Sequence, residues 1–390
     1  MEPPAKTAAS DGAPARRRAV SSARLRVEFA RKRAGDGVRA VTDLAARFAP
    51  LAPSLLFVFA SPDSDLDSLG PAIAASFACP VLGCTTAGEL TADGGYGSGS
   101  VVAAAVWSPE LAVRTVFVDS LADFTADPDP PSLRGLPGVD PSHAFALLVV
   151  DGLSMREETV VAKVHARLGG VPLVGGSAAD GLDFRATGVY HEGRFREDAA
   201  VLLVCETTLP FQTFRIQHFE PTEEKLVVTE ADAPTRRVFE LDGLPAAEEY
   251  ARAVGRNVAD LGPAVFAEHP VMLRVGGEYF VRSIRRVNPD GSLTFFSAVD
   301  NGLVLTVARA ESLAENLGAL LARVEERVPG LGLVLGCDCI LRRLETERRH
   351  EEAVVREILR PYPFVGFCSY GEQYDGVHVN HTLTGLALGS

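Results

Sequence analysis

Three segments of this chain repeat one another, and that repetition constrains the fold more than any other feature. Pro80-Val81-Leu82-Gly83-Cys84-Thr85-Thr86-Ala87-Gly88-Glu89 is echoed by Pro172-Leu173-Val174-Gly175-Gly176-Ser177-Ala178-Ala179-Asp180 and by Pro363-Phe364-Val365-Gly366-Phe367-Cys368-Ser369-Tyr370-Gly371-Glu372. Each reads as a short buried strand ending in Gly, then small hydroxyl or thiol residues, then an acid. Apolar runs precede them: residues 55–59 about 28 before Gly83, 145–150 about 30 before Gly175, and 333–335 about 33 before Gly366. Helical spacing fills each gap, most clearly Val160, Val164 and Leu168 at i, i+4, i+8. In the third gap Val354 and Ile358 share a face, with Val355 and Leu359 one step round. Strand, helix and strand within about 30 residues is the size of a βαβ unit, whose two strands run parallel.

After the first motif, strands are expected at 101–107 and 112–118; after the second, at 199–204 and 211–218; after the third, 377–388 plays this part. Extra material lies between roughly 242 and 332, with a helix near 246–254 and strands near 271–275, 279–284 and 293–299. Ser312 and Glu315 then make a capping box for a helix whose stripe is Leu313, Leu317, Leu320, Leu321, Val324 and Val328. Pro329-Gly330 stops it. The fold class is therefore α/β with mixed α+β elements: repeated strand-helix-strand units and mixed sheets.

Lys+Arg number 38 and Asp+Glu 51, a net charge of −13 that argues against anionic partners such as nucleic acid or a membrane surface. No apolar run is long enough to span a bilayer as a helix, and the Ala-, Pro- and Arg-rich start lacks the apolar core of a secretory signal. The six scattered cysteines suit a reducing cytoplasm. Cys337-Asp338-Cys339 lacks the paired spacing of a zinc site, so no metal is expected. The elbow G-x-S-x-G is broken at Ala179, and neither a P-loop nor H-E-x-x-H occurs. Gly94-Gly95-Tyr96-Gly97-Ser98-Gly99 leads into a strand pattern and not into a helix, against a phosphate cradle. With no catalytic constellation, the chain reads as a binding protein and not an enzyme.

Open α/β sheets bind ligands beyond the carboxyl ends of their strands, where the three motifs end. Thr85, Thr86, Ser177, Ser369 and Tyr370 offer hydrogen bonds to a ligand, with the Cys84 thiol beside them. Glu89, Asp180 and Glu372 suit a cationic group such as an α-amine. The competing reading is structural: small residues in tight turns, with each acid capping backbone N–H groups.

Leu82-Gly83-Cys84-Thr85-Thr86-Ala87-Gly88-Glu89 resembles the G-[CG]-[ST]-T-A-G-E signature of the N-terminal FIST domain, a sensory module of bacterial signal transduction. Leu241-Asp242-Gly243-Leu244-Pro245-Ala246 with Tyr250 resembles the opening of the C-terminal FIST domain, and Phe367–Glu372 with Asn380-His381-Thr382-Leu383 its closing pattern. The resemblance implies two fused domains, 25–240 and 241–390, after a disordered tail over 1–24. It adds Asn380 to the candidate ligand-binding residues. One departure is Val379, where many relatives carry His, with His378 one place earlier.

The resemblance further implies a small-molecule sensor, amino acids being one ligand class. Little chain follows Leu388, so signalling is expected through a separate partner such as a histidine kinase, as in two-component systems. Two alternatives stay open. One is a haem-based nitric-oxide sensor, for which His218 and His381 are the axial-ligand candidates, His218 sharing an alternating strand face with Phe214 and Ile216. The other is a ligand-free scaffold that binds proteins.

Overall fold

The computed structural model describes residues 20–22, 24–49, 51–136 and 138–390. Of the tail expected over 1–24, residues 1–19 and 23 lie outside the described residues, while Val20–Ser21 forms a short strand on Arg26–Arg33.

The three repeats become three parallel strand pairs: Leu55–Ala60 with Val81–Thr85, Ala144–Val150 with Leu173–Ser177, and Leu333–Cys339 with Phe364–Ser369. Their registers superimpose, since Val58, Leu148 and Gly336 face Gly83, Gly175 and Gly366. In each unit a returning strand (Ser100–Trp107, Ala200–Thr207 or Leu383–Leu388) pairs antiparallel with the first of the two. An outer strand (Arg26–Arg33, Leu111–Val118 or Phe211–Ile216) pairs antiparallel with the returning one. Leu111–Val118 and Phe211–Ile216 thus open the next sheet, where sequence order alone attached them to the preceding unit.

The units exchange hairpins. After each motif the chain leaves its own sheet and pairs with a neighbour's. Glu89–Thr91 of the first unit joins Phe364–Ser369 of the third, Val189–His191 of the second joins Val81–Thr85 of the first, and Glu372–Tyr374 of the third joins Leu173–Ser177 of the second. The exchange is cyclic, so three sheets close around one core. Phe57 and Phe59, Leu147 and Val149, and Leu335 and Phe367 meet inside it, the rings of Phe59 and Phe367 stacking at 4.5 Å.

Helices cover the outer faces: Gly37–Phe48 and Leu66–Ser76 on the first sheet, Leu121–Ala126 and Glu157–Leu168 on the second, Leu313–Arg327 and Glu352–Leu359 on the third. Strands covered on both faces need continuous apolar runs, which is why Leu55–Ala60 and Ala144–Val150 are buried throughout. Val160, Val164 and Leu168 point inward as expected, and the Glu315 N–H donates to the Ser312 hydroxyl at 3.2 Å. The helix Glu352–Leu359 is rotated from its expected face: Val355 and Leu359 are buried, whereas Val354 is 48% exposed.

The inserted material begins earlier than its composition suggested, at Phe219. Seven strands between Phe219 and Ala310 form a separate antiparallel sheet, with Leu244–Pro245 alongside and Ala246–Ala253 and Pro263–Glu268 as its helices. It has its own core around Leu226, Tyr250, Phe266 and Leu305. The mixed α/β architecture is borne out, and residues 240/241 fall within this sheet. No helix among the described residues is long and apolar enough to cross a membrane.

Candidate functional site

The three motifs end beside one another. The Ala87 N–H donates to the Cys368 carbonyl at 2.8 Å, Ala179 to Thr85 at 3.0 Å, and Ser177 to Gly371 at 2.8 Å, which ties the turns into a ring.

Within that ring two of the motif acids are clasps. Glu89 accepts the Thr86 hydroxyl at 2.8 Å on one oxygen and the Ser100 hydroxyl at 2.6 Å and N–H at 3.3 Å on the other. Glu372 repeats the arrangement with the Ser369 hydroxyl at 2.6 Å and the Thr382 hydroxyl at 2.6 Å and N–H at 3.2 Å. Each carboxyl fastens a motif turn to the start of its returning strand. Burial raises the pKa of both, that of Glu372 to about 8.

The second unit has Ala178 and Gly181 at the corresponding places and no such clasp. Asp151 closes its turn instead, accepting from the Leu153 and Asp198 N–H groups and the Thr187 hydroxyl. Asp180 holds the next loop through the N–H groups of Phe184, Arg185 and Ala186, and it accepts the Tyr370 hydroxyl. Burial would raise its pKa, but the Tyr370 hydroxyl and the three N–H donors outweigh it and hold the carboxyl low.

A cleft of about 330 Å³ opens over this ring. From the first unit come Asp63, Thr86 and Glu89, from the second Asp180 and Asp183, and from the third Arg343 and Glu347. Thr86, Glu89 and Asp180 are thus brought into one site. Arg343 reaches across the ring, donating to the Ala87 carbonyl at 2.7 Å and pairing with Glu347 at 2.7 Å. Gly88 makes room for it: at φ +133° a Cβ there would lie 2.0 Å from the guanidinium. The cleft presents five carboxylates against this one guanidinium.

The other candidates lie deeper. Cys84 faces the shared core, and burial drives its thiol pKa well up. The Thr85 hydroxyl accepts the Gly188 N–H at 2.9 Å, and the Ser177 hydroxyl accepts from Gln373 at 3.0 Å. Tyr370 stacks on Phe184 at 4.6 Å and lines a smaller cavity of about 60 Å³ beside the cleft. Asn380 accepts the Ser297 hydroxyl at 2.9 Å, joining the third hairpin to the inserted sheet. Arg236 and the Ala298 N–H bind Glu157 and Glu158 across the same seam. The inserted sheet therefore covers the ring on this side and leaves the cleft open on the other.

The two histidines differ. His218 is fully buried, its Nε2 2.7 Å from Glu345 and its Nδ1 2.9 Å from Arg342. Arg342 also binds Asp338, which accepts the Tyr96 hydroxyl. His381 is fully buried with neither nitrogen partnered, its ring edge-on to Phe219 at 5.1 Å. Among the described residues no group of three or more His, Cys, Asp or Glu is placed to hold a metal ion.

Sequence reasoning missed Asp63, Asp183, Arg343 and Glu347. The last two carry a signal, an Arg–Glu pair at i, i+4 on the helix Ile340–Arg348.

Residues 54–244 match the FIST N domain and residues 246–375 the FIST C domain. No curated protein matches the chain. Among solved structures, cyanuric acid hydrolase from A. caulinodans aligns at 10% identity over 48% of this chain and 72% of that one, with a TM-score of 0.27. PurL from T. maritima, complexed with AMPPCP, aligns at 13% identity over 95% of this chain and 74% of that one, with a TM-score of 0.20.

Proposed function

The chain belongs to the FIST family, whose domains are sensory domains of signal-transduction proteins, and on that premise we propose that the 330 Å³ cleft is its sensing pocket and holds a small molecule bearing a cationic amine, such as an amino acid. The observation that carries this reading is position. Ser61–Asp63 follow Leu55–Ala60, Thr86–Glu89 follow Val81–Thr85, Asp180–Asp183 follow Leu173–Ser177, and Ile340 follows Leu333–Cys339. All three parallel pairs thus bring the residues beyond their carboxyl ends to one crevice, where open α/β sheets take ligands. Asp63 and Asp183 stand exposed at its rim and are the amine's partners, while Glu89 and Asp180 are occupied in holding the turns.

Contacts lead from the cleft to the inserted sheet. Arg343 and Glu347 share their helix with Arg342, which meets His218 next to the strand Phe219–Asp232. A ligand that draws on Arg343 shifts this helix and the face the inserted sheet offers to a separate signalling partner, a histidine kinase being the expected class. The protein acts in the cytoplasm on this reading. The histidines do not fit a haem ligand: both nitrogens of His218 are engaged, and His381 lines neither cavity described above.

The experiment is a thermal-shift series over amino acids and simple amines, with wild type and Asp63→Asn/Asp183→Asn. A ligand at 100 times its dissociation constant stabilises by about 2.7 kcal/mol. Stabilisation of wild type that is lost in the double variant supports the reading. No stabilisation by any amine rejects it.

A further inference from the structure

A second cavity, about 250 Å³, lies between the inserted sheet and the helix Ile340–Arg348. Its walls are apolar, with Phe184, Ile284, Phe296 and Leu341, and two arginines border it, Arg285 and Arg286. The Arg285 guanidinium sits 4.3 Å above the Phe184 ring. Among the described residues neither arginine forms an ion pair, although acids outnumber bases in this chain by 51 to 38. Arg236 nearby shows the ordinary alternative, paired with Glu157 at 2.5 Å and Glu158 at 2.7 Å. Burial, with the neighbouring Arg286 and Arg236 cations, holds Arg285 below its usual pKa, as expected of a partly desolvated cation without a counter-ion.

We propose that this cavity is a separate binding site for a small apolar or aromatic monocarboxylate, with the acid group on Arg285 and the apolar body against Phe184, Phe296 and Leu341. Guanidinium presents a planar fork that matches a carboxylate in two parallel hydrogen bonds, and its stacking on Phe184 fixes that fork in place. The size agrees: a cavity of about 150 Å³ lined by Leu, Ile and Phe holds benzene, so 250 Å³ takes a phenyl ring and a short acid arm. Leu182 and Leu344 line both this cavity and the acidic cleft, so the sites adjoin but have opposite charge preference. Carboxylate binding on Arg285 does not depend on whether the cleft takes an amine.

The test is calorimetric titration of the full chain with phenylacetate, hexanoate and the neutral isostere phenylacetamide. Phenylacetate and hexanoate should bind, and phenylacetamide at least tenfold more weakly. Arg285→Gln should weaken phenylacetate at least tenfold and Arg285→Lys less, while Asp63→Asn/Asp183→Asn should leave it unchanged. Circular dichroism checks that the variants fold, and should Arg285→Gln fail to, Arg285→Lys and the amide comparison still decide. Binding of neither carboxylate at millimolar concentration, equal binding of the amide, or wild-type affinity in the Arg285 variants would each overturn the proposal. Failure of the amine series with phenylacetate binding intact would reject the cleft reading alone.

Discussion

Replacing Glu372 by Gln separates the clasp from its ionisation. The carboxyl lies in a fully buried turn, and burial raises its pKa from the ordinary 4.5 to about 8. A raised carboxyl contributes stability that is fully present below pH 4.5 and is lost as pH climbs toward 8, because the unfolded chain ionises first. At about 1.36 kcal/mol per pH unit, the span from pH 5 to 7.5 removes about 3 kcal/mol from the wild type. Gln has no such slope. Its amide also turns an N–H₂ toward one side of the clasp, where the Thr382 N–H and hydroxyl already donate or Ser369 does, which costs about 1–3 kcal/mol at every pH. The variant should therefore be less stable at pH 5 and equal or more stable by pH 7.5. Urea unfolding followed by circular dichroism at several pH values reads this directly. Other groups whose protonation burial shifts, such as Glu157 upward and His378 downward to about 4, are common to both proteins and cancel in the difference. Parallel pH profiles for wild type and variant would rule out a raised Glu372 pKa in the folded protein.

Three further outcomes follow from the packing. Gly175→Ala places a Cβ 1.8 Å from the Leu148 carbonyl inside a parallel pair, so it should lose at least about 3 kcal/mol in urea unfolding, whereas Gly135→Ala, with nothing within 4 Å, should be near neutral. His218→Ala removes one hydrogen-bond partner from each of Arg342 and Glu345, which keep Asp338 and Arg349, and should cost about 1–3 kcal/mol, and wild type expressed with haem should show no Soret band. Of the six thiols only Cys79 is partly exposed, so Ellman's reagent should reach it first in the native protein, and slowly, because burial pushes that thiol to about 11; the other five should react only on unfolding.

The repeats were legible because each carries its own periodicity. Glycine-ended strands, apolar runs at a constant interval and the stripe Val160, Val164, Leu168 report local structure, and the parallel pairs follow from them. The hairpin exchange was not legible. Glu89–Thr91 follows Val81–Thr85 closely, yet the two lie in different sheets, since Ala87 and Gly88 bond to Cys368 of the third unit. Such a contact leaves no mark in the spacing of the first motif. The start of the insertion was hidden for a similar reason: Phe219–Asp232 follows Phe211–Ile216 after only two residues, but one belongs to the ring and the other to the inserted sheet. The motif acids were visible as polar residues at strand ends, but their role depends on Ser100 and Thr382, about ten residues further on. Asp63 and Asp183 stood in loops without pattern, and only the convergence of the strand ends gives them a common site.

Hydrogen exchange on the full chain, saturated with the amine that stabilises it most, tests the sensing pocket most directly. Exchange should slow in residues 61–63, 86–89, 180–183 and 340–347, which with Ser98 line the cleft, with a smaller effect at His218 and Phe219. Protection confined to other segments, or none in these four, would contradict a sensing pocket there.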